Sequence, residues 1–186
     1  MSRQLAEEHG LARTIRIAPT RDDLFHAAAQ GVVEIITRSQ QGERTCSIAL
    51  AGGSTPRGLY QLLTHPPYVS QIVWERLRVF WGDERPVPPD HPDSNFRMAQ
   101  EAFLSQVPIS QDQVFRIEGE LAPEEAARRY ERVLREQFRV SQGEVPRFDL
   151  MLLGMGADGH TASLFPGTSA VAELNQLVAA PWVESQ

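Results

Sequence analysis

The sequence predicts an α/β domain, doubly wound, with a mainly parallel sheet and helices on both faces in the Rossmann-like manner. Three observations predict it. Apolar runs of strand length alternate along the chain with stretches whose apolar residues recur at helical spacing. One run, Phe148-Asp149-Leu150-Met151-Leu152-Leu153, is almost unbroken, which is how a strand buried on both faces reads. Three of the runs end in glycine-bearing turns with hydroxyl, charged or imidazole side chains, at the strand ends where such sheets bind ligands.

The elements follow in order. Thr14-Ile15-Arg16-Ile17-Ala18 alternates and reads as a first strand, after a loose polar arm over residues 1–13. Thr20 caps a helix with Asp22 and Asp23 in its first turn and an apolar stripe of Leu24, Ala27, Ala28, Gly31, Val32, Ile35 and Ile36. Cys46-Ser47-Ile48-Ala49-Leu50-Ala51 is the second strand, with Cys46 a small buried side chain. Pro56 suits a helix first turn with Ser54 or Thr55 as its cap. Leu77-Arg78-Val79-Phe80-Trp81 is a third strand, and Ser94 caps the helix beyond the proline-rich loop. Val114-Phe115-Arg116-Ile117 reads as a fourth strand, and Pro123, Glu124 and Glu125 open a long helix. Its buried stripe is Ala126, Tyr130, Val133, Leu134 and Phe138, and Arg128, Arg129, Arg132 and Arg135 are its solvated face. A short helix over residues 170–174 and an apolar strand over 177–180 close the chain.

The bulk numbers bound the function. A chain of 186 residues reads as one domain, 1–186, long enough for a substantial core. Hydrophobic content of 41% and charged content of 23% are those of a soluble globular protein. No apolar run approaches about 18 residues, so no membrane-spanning helix is expected. A net charge of −6 disfavours nucleic acid as a partner. A single cysteine and an N-terminus without an apolar signal core point to the cytoplasm. All 18 basic residues are Arg. Without Lys there is no Schiff-base chemistry and no P-loop lysine, and Arg is left as the cation for a phosphate.

Three strand-end stretches carry the chemistry. Gly52-Gly53-Ser54-Thr55-Pro56-Arg57-Gly58 places bare glycines and hydroxyls before a helix N-terminus, a cradle for phosphate. Gly82-Asp83-Glu84-Arg85 packs three charges at the next strand end, which by themselves also read as a solvated rim. His91 beside Asp90 and Asp93 lacks a second His at a ligand spacing, so no metal site is read there. Gly154, Gly156 and Gly159 satisfy the dinucleotide pattern, but Pro166 stops any following helix within about two turns. The glycines instead let the chain fold sharply around Asp158 and His160. A histidine suits general-base work near neutral pH, and a carboxylate across one glycine can orient it. A capping Asp followed by an ordinary surface His is the bland alternative.

Taken together, Leu50-Ala51-Gly52-Gly53-Ser54-Thr55-Pro56, then Trp81-Gly82-Asp83-Glu84-Arg85 with Asp93-Ser94-Asn95, then Gly154-Met155-Gly156-Ala157-Asp158-Gly159-His160-Thr161-Ala162-Ser163-Leu164-Phe165-Pro166, carry a resemblance. The sequence is similar to the 6-phosphogluconolactonases of the glucosamine-phosphate-isomerase-like superfamily. The likeness covers nearly the whole chain beyond the first dozen residues. It implies hydrolysis of 6-phospho-D-glucono-1,5-lactone to 6-phosphogluconate in the oxidative pentose phosphate pathway, with no metal or organic cofactor. It implies His160 as the base activating water, Asp158 as its orienter, and Asp83 and Arg85 lining the same site. It implies Gly52, Gly53, Ser54 and Thr55 on the phosphate, with Arg57, Asn95, Gly156 and Gly159 among the binding residues. Two rivals remain. A glucosamine-6-phosphate deaminase would carry an Asn-Glu pair after its Asp-Gly-His, where this chain has Ser163-Leu164-Phe165. A sugar-phosphate-binding module without turnover is the other. Chains of the resembled family continue past Trp182 into a further strand and helix. The expectation is therefore a domain lacking its C-terminal elements, with an exposed apolar patch near residues 177–180.

Overall fold

The computed structural model describes residues 14–182. Three parallel strands form its sheet: β1 (Cys46–Leu50), β2 (Leu77–Trp81) and β3 (Leu150–Met151), in the order β2-β1-β3. The register sets Cys46 against Leu77 and Leu50 against Trp81 on one side, and Ile48 against Leu150 on the other. Every residue of β1 is buried, as befits the central strand.

The strands alternate between two cores. Cys46, Ile48 and Leu50 of β1 and Leu77, Val79 and Trp81 of β2 face α1 (Arg21–Ser39), α2 (Ser54–Leu63) and α3 (Asn95–Ala102). Ala49 and Phe80 face the other way, onto Tyr130 and Leu134 of α4 (Pro123–Phe138). That second core is aromatic: Phe80 stacks on Phe115 at 4.8 Å and meets Phe138 and Phe148 at 5.3 and 5.4 Å between ring centroids. Helices thus cover both faces of a parallel sheet, the doubly wound arrangement. Thr20 caps α1 by accepting from the Asp23 amide at 3.1 Å, and Ser94 caps α3 by accepting from the Arg97 amide at 3.1 Å. Among the described residues no helix is long and apolar enough to cross a membrane.

Five sequence expectations are corrected. Residues 14–18 form no strand, and Ile15 and Ile17 are 87% and 91% exposed. Alternation confers β propensity, but a strand needs a neighbouring edge, and none among the described residues pairs with it. The fourth strand shrinks to one parallel bridge, Val114 to Val79, with the Phe115 amide donating to the Val79 carbonyl at 2.8 Å. The chain then bends away so that Gly119 can press on the loop after β2; a Cβ there would lie 2.3 Å from the Arg85 carbonyl oxygen.

The apolar run at 148–153 pairs with β1 only briefly, and Met151 and Leu153 are 46% and 54% exposed rather than buried on both faces. β3 is an edge strand among the described residues, so its outer side has no cover. Residues 177–180 pair with no strand; Leu177 and Val178 instead pack on the aromatic core beside α4. The turn before them is a 3-10 helix, Ser169–Ala172, shorter than the helix expected at 170–174, and Val171, Leu174 and Trp182 are exposed.

Candidate active site

The three motif loops leave the carboxyl ends of β1, β2 and β3 side by side, because the strands are parallel neighbours. At the end of β1 the helix cap is Gly53, not Ser54 or Thr55. Gly53 has φ 98°, a left-handed value that disfavours residues with a side chain, so the helix begins one residue earlier than the hydroxyl pattern suggests. Ser54 and Thr55 become the first two helical residues, both exposed. The first return bond of the helix runs from the Arg57 amide to the Gly53 carbonyl at 3.2 Å. The amides of Ser54 and Thr55 precede it, and Pro56 has none, so the end of α2 presents N–H groups, two hydroxyls and no acidic residue. An anion fits that chemistry.

At the end of β2 the charges divide their work. Glu84 is no solvated rim residue. Its Oε1 accepts from the amides of Arg85 (2.8 Å) and Asn95 (2.7 Å), and its Oε2 from the Phe96 amide (2.9 Å) and the Ser94 hydroxyl (3.1 Å). A carboxylate is well placed there because the N-terminus of α3 offers both free amides and the positive end of a dipole. The result pins Asn95, itself only 5% exposed. The Asn95 amide group donates to the Asp83 carbonyl (3.1 Å) and to Asp83 Oδ1 (3.2 Å). Its Oδ1 lies so near Gly52 that a Cβ on that glycine would stand 2.0 Å away. The Gly52 loop and the Asp83 loop are thereby joined through Asn95.

At the end of β3 the chain closes on itself. The Gly156 amide donates to the His160 carbonyl at 2.9 Å, and the Gly159 amide to the Gly156 carbonyl at 3.0 Å. Asp158 Oδ1 accepts from the His160 amide at 3.2 Å and from its Nδ1 at 2.6 Å. A carboxylate can only accept, so this bond puts the ring proton on Nδ1 and, in the neutral ring, leaves Nε2 with a lone pair. Hydrogen bonds from the His160 amide, and then from its ring, hold the Asp158 carboxyl below the ordinary value. The imidazole rests on Gly156, where a Cβ would lie 2.2 Å from Cε1, and on the Phe165 ring, 4.2 Å away between centroids. One hydrogen bond crosses to the neighbouring loop: the Ser163 hydroxyl donates to Asp83 Oδ2 at 2.7 Å.

The structure therefore joins Gly52, Asn95, Asp83 and, through Ser163, the loop of Gly156, Asp158, Gly159 and His160. Arg85 and Arg57 stand outside this network. Both are exposed. Sequence reasoning missed Glu84 and Ser163. Neither has a local signal: Glu84 meets α3 only after a ten-residue excursion, and Ser163 meets Asp83 across eighty residues. Among the described residues no three His, Cys, Asp or Glu side chains gather as a metal-holding group. A concavity of about 790 Å³ between α4 and residues 169–181 contains none of the motif side chains.

A parallel α/β sheet with an anion-ready helix end and an oriented imidazole at neighbouring strand ends defines a class: α/β proteins that set an anion site and a basic side chain side by side at the carboxyl edge of the sheet. Comparison with known proteins narrows the class. Residues 19–184 match the model of the family described as glucosamine-6-phosphate isomerases/6-phosphogluconolactonase, and the chain belongs to that family. It is 41% identical over 169 residues to the 6-phosphogluconolactonase of Synechocystis sp., an alignment covering 90% of this chain and 69% of that protein. It is 41% identical over 165 residues to the probable chloroplastic 6-phosphogluconolactonase 4 of Oryza sativa, covering 86% of this chain and 51% of that one. The solved 6-phosphogluconolactonase of Trypanosoma cruzi superposes with a TM-score of 0.77 at 34% identity, over 89% of this chain and 67% of that chain. The chain thus spans between about half and two thirds of the length of these relatives.

Proposed function

We propose that this chain hydrolyses 6-phospho-D-glucono-1,5-lactone to 6-phospho-D-gluconate. The observation that carries the reading is the His160–Asp158 pair, with its free Nε2, in a loop tied through Ser163, Asp83 and Asn95 to the glycine cradle. The motif residues fall to roles by their chemistry. Residues 52–55 hold the phosphate, and anchoring that remote group orients the lactone carbonyl. Nε2 of neutral His160 takes a proton from water as the water oxygen bonds to the carbonyl carbon. The electron pair of the C=O moves to oxygen, and Arg85, exposed and cationic, is the side chain suited to that developing charge. When the tetrahedral carbon collapses, the bond to the ring oxygen breaks. The ring oxygen takes the proton from the His160 imidazolium, and the acid and a hydroxyl are left. Asp158 keeps the ring in the tautomer this needs.

The same reading takes the chain as a single cytoplasmic α/β domain whose partner is a sugar-phosphate lactone and not a nucleic acid or a membrane, working without metal or organic cofactor. A deaminase is disfavoured by Leu164 and Phe165, which cannot transfer protons where those enzymes need an acid. The test is acid release from the lactone in a pH-stat, corrected for the spontaneous rate. Turnover well above background supports the reading, and a rate indistinguishable from background at micromolar protein overturns it.

A further inference from the structure

The loop that carries His160 is tied to the rest of the molecule in an unusual way. From Leu153 to Gln176, the hydrogen bonds among the described residues are local, with one exception. The exception is the Ser163 hydroxyl on Asp83 Oδ2. Among the described residues no ion pair leaves this segment either; the acidic group it sets against an imidazole is Asp158, on His160 of the same loop. Apolar cover is thin, since Leu153, Met155 and Leu164 are 54%, 80% and 48% exposed.

Ser163 sits where such a tie can act on the imidazole. It lies in a tight turn closed by the Leu164 amide on the Thr161 carbonyl at 3.0 Å, three residues after His160. The preceding Ala162 has φ 49°, so the turn takes the left-handed conformation there. The other end of the tie is rigid. Asp83 is held through Oδ1 and its carbonyl by Asn95, and Asn95 is fixed by the Glu84 carboxylate at the start of α3 and by contact with Gly52.

We infer that Ser163 is a positioning residue: its hydrogen bond to Asp83 sets the distance between the His160 base and the phosphate anchor at residues 52–55. Asp83 is then a post on which two loops are fixed, and it need not exchange a proton with substrate. This inference rests on the lactonase reading for its kinetic consequence, but not for its structural one.

The test uses Ser163→Ala and Ser163→Thr, the second of which keeps the hydroxyl. Ser163→Ala should lower kcat for the lactone by about 10–100-fold, because a misplaced base loses orientation. Binding of 6-phosphogluconate, measured by calorimetry, should stay within about twofold, because the anchor is untouched. Ser163→Thr should restore kcat to within about threefold of the parent. In protein labelled with 15N-histidine, the His160 imidazole signal, assigned with His160→Gln, should be single in the parent and in Ser163→Thr. In Ser163→Ala it should broaden or split. If the parent shows no lactone hydrolysis above background, the lactonase reading falls, and the imidazole signal alone decides the positioning role. An unchanged kcat with an unchanged imidazole signal in Ser163→Ala would overturn the inference. So would a joint fall of kcat, product affinity and Tm that Ser163→Thr does not repair, which is the signature of a merely structural tie.

Discussion

The ends of β1 and β2 are built alike, and the end of β3 is built differently. At β1 the Tyr60 hydroxyl, from α2, accepts from the Ala51 amide and donates to the Ala51 carbonyl, both at 2.9 Å. At β2 the Tyr130 hydroxyl, from α4 on the opposite face, does the same to Trp81, at 2.9 and 3.0 Å. Each tyrosine satisfies the last backbone groups of a strand where the ladder gives out. Burial pushes both phenols well above the usual tyrosine range, so they act as neutral clasps. The last ladder bond of β3, from the Leu152 amide to the Ala49 carbonyl at 2.9 Å, has no such clasp beyond it. The His160 loop is fixed instead by half-exposed polar contacts.

The difference separates what must be rigid from what must be tuned. The loop at residues 52–55 and the Asp83 loop grow out of two clasped, buried strand ends, so their backbone is fixed by the core. The imidazole is placed by Asp158, by Gly156 beneath it, by Phe165 and by Ser163. All lie outside the two cores, and each is open to mutation without unfolding the sheet.

The largest expected break in this contrast is His160→Asn. It should lower kcat for the lactone by about 10²–10⁴-fold while 6-phosphogluconate affinity changes little. Asp158→Asn should cost less, since it loses the orienter and leaves the imidazole. Steady-state kinetics corrected for spontaneous hydrolysis check both, and a folded His160→Asn protein within a few-fold of the parent ends the general-base role.

Next is Gly156→Ala. The new methyl would meet the imidazole at 2.2 Å, so the ring must move. Moving the ring out to ordinary contact is a shift of about 1 Å, which should cost about 10²-fold in kcat. Tm should barely change, because residue 156 lies outside both cores. A large Tm loss with normal kcat in the survivors would mean the loop supports the fold more than the ring.

Tyr130→Phe and Tyr60→Phe reverse the pattern. Each strands a buried backbone amide and should lower stability by about 1–3 kcal/mol in urea unfolding. The imidazole signal of His160 should be untouched. A loss below the error of the measurement would show that water or a shifted backbone replaces the clasp.

The smallest effect is pH-dependent and confined to the third loop. Asp158 titrates below its ordinary value of 3.8 in the folded chain. Its contribution is therefore complete above that ordinary value and is lost as pH falls through the lowered one. Acid titration followed by NMR should show the His160 amide losing its Asp158 partner only once the pH has fallen below the ordinary carboxylate value, while the Trp81 and Ala51 amides keep theirs. Parallel loss at all three amides would erase the distinction between the loops.

Much of this contrast could be read in the sequence, because its carriers are local. The caps Thr20 and Ser94 and Pro123 at the start of α4 lie within a few residues of the amides or turns they serve. Gly156, Asp158 and His160 form their contacts inside one pentapeptide. The order of strand, glycine turn and helix gave the parallel sheet and its strand-end loops.

The sequence by itself therefore determined the fold class, the three motif loops and the pairing of His160 with Asp158, all encoded in windows shorter than one helix. Tertiary structure decided whether a stretch with strand propensity finds an edge, as β1 does and residues 14–18 do not. It also left β3 at an edge among the described residues, gave Glu84 its helix end, and brought Tyr130 to Trp81 and Ser163 to Asp83, contacts spanning 49 and 80 residues. The physical reason is that periodicity and capping act through neighbouring backbone groups. A hydrogen bond across such a span exists only once sheet order has brought two distant strand ends together.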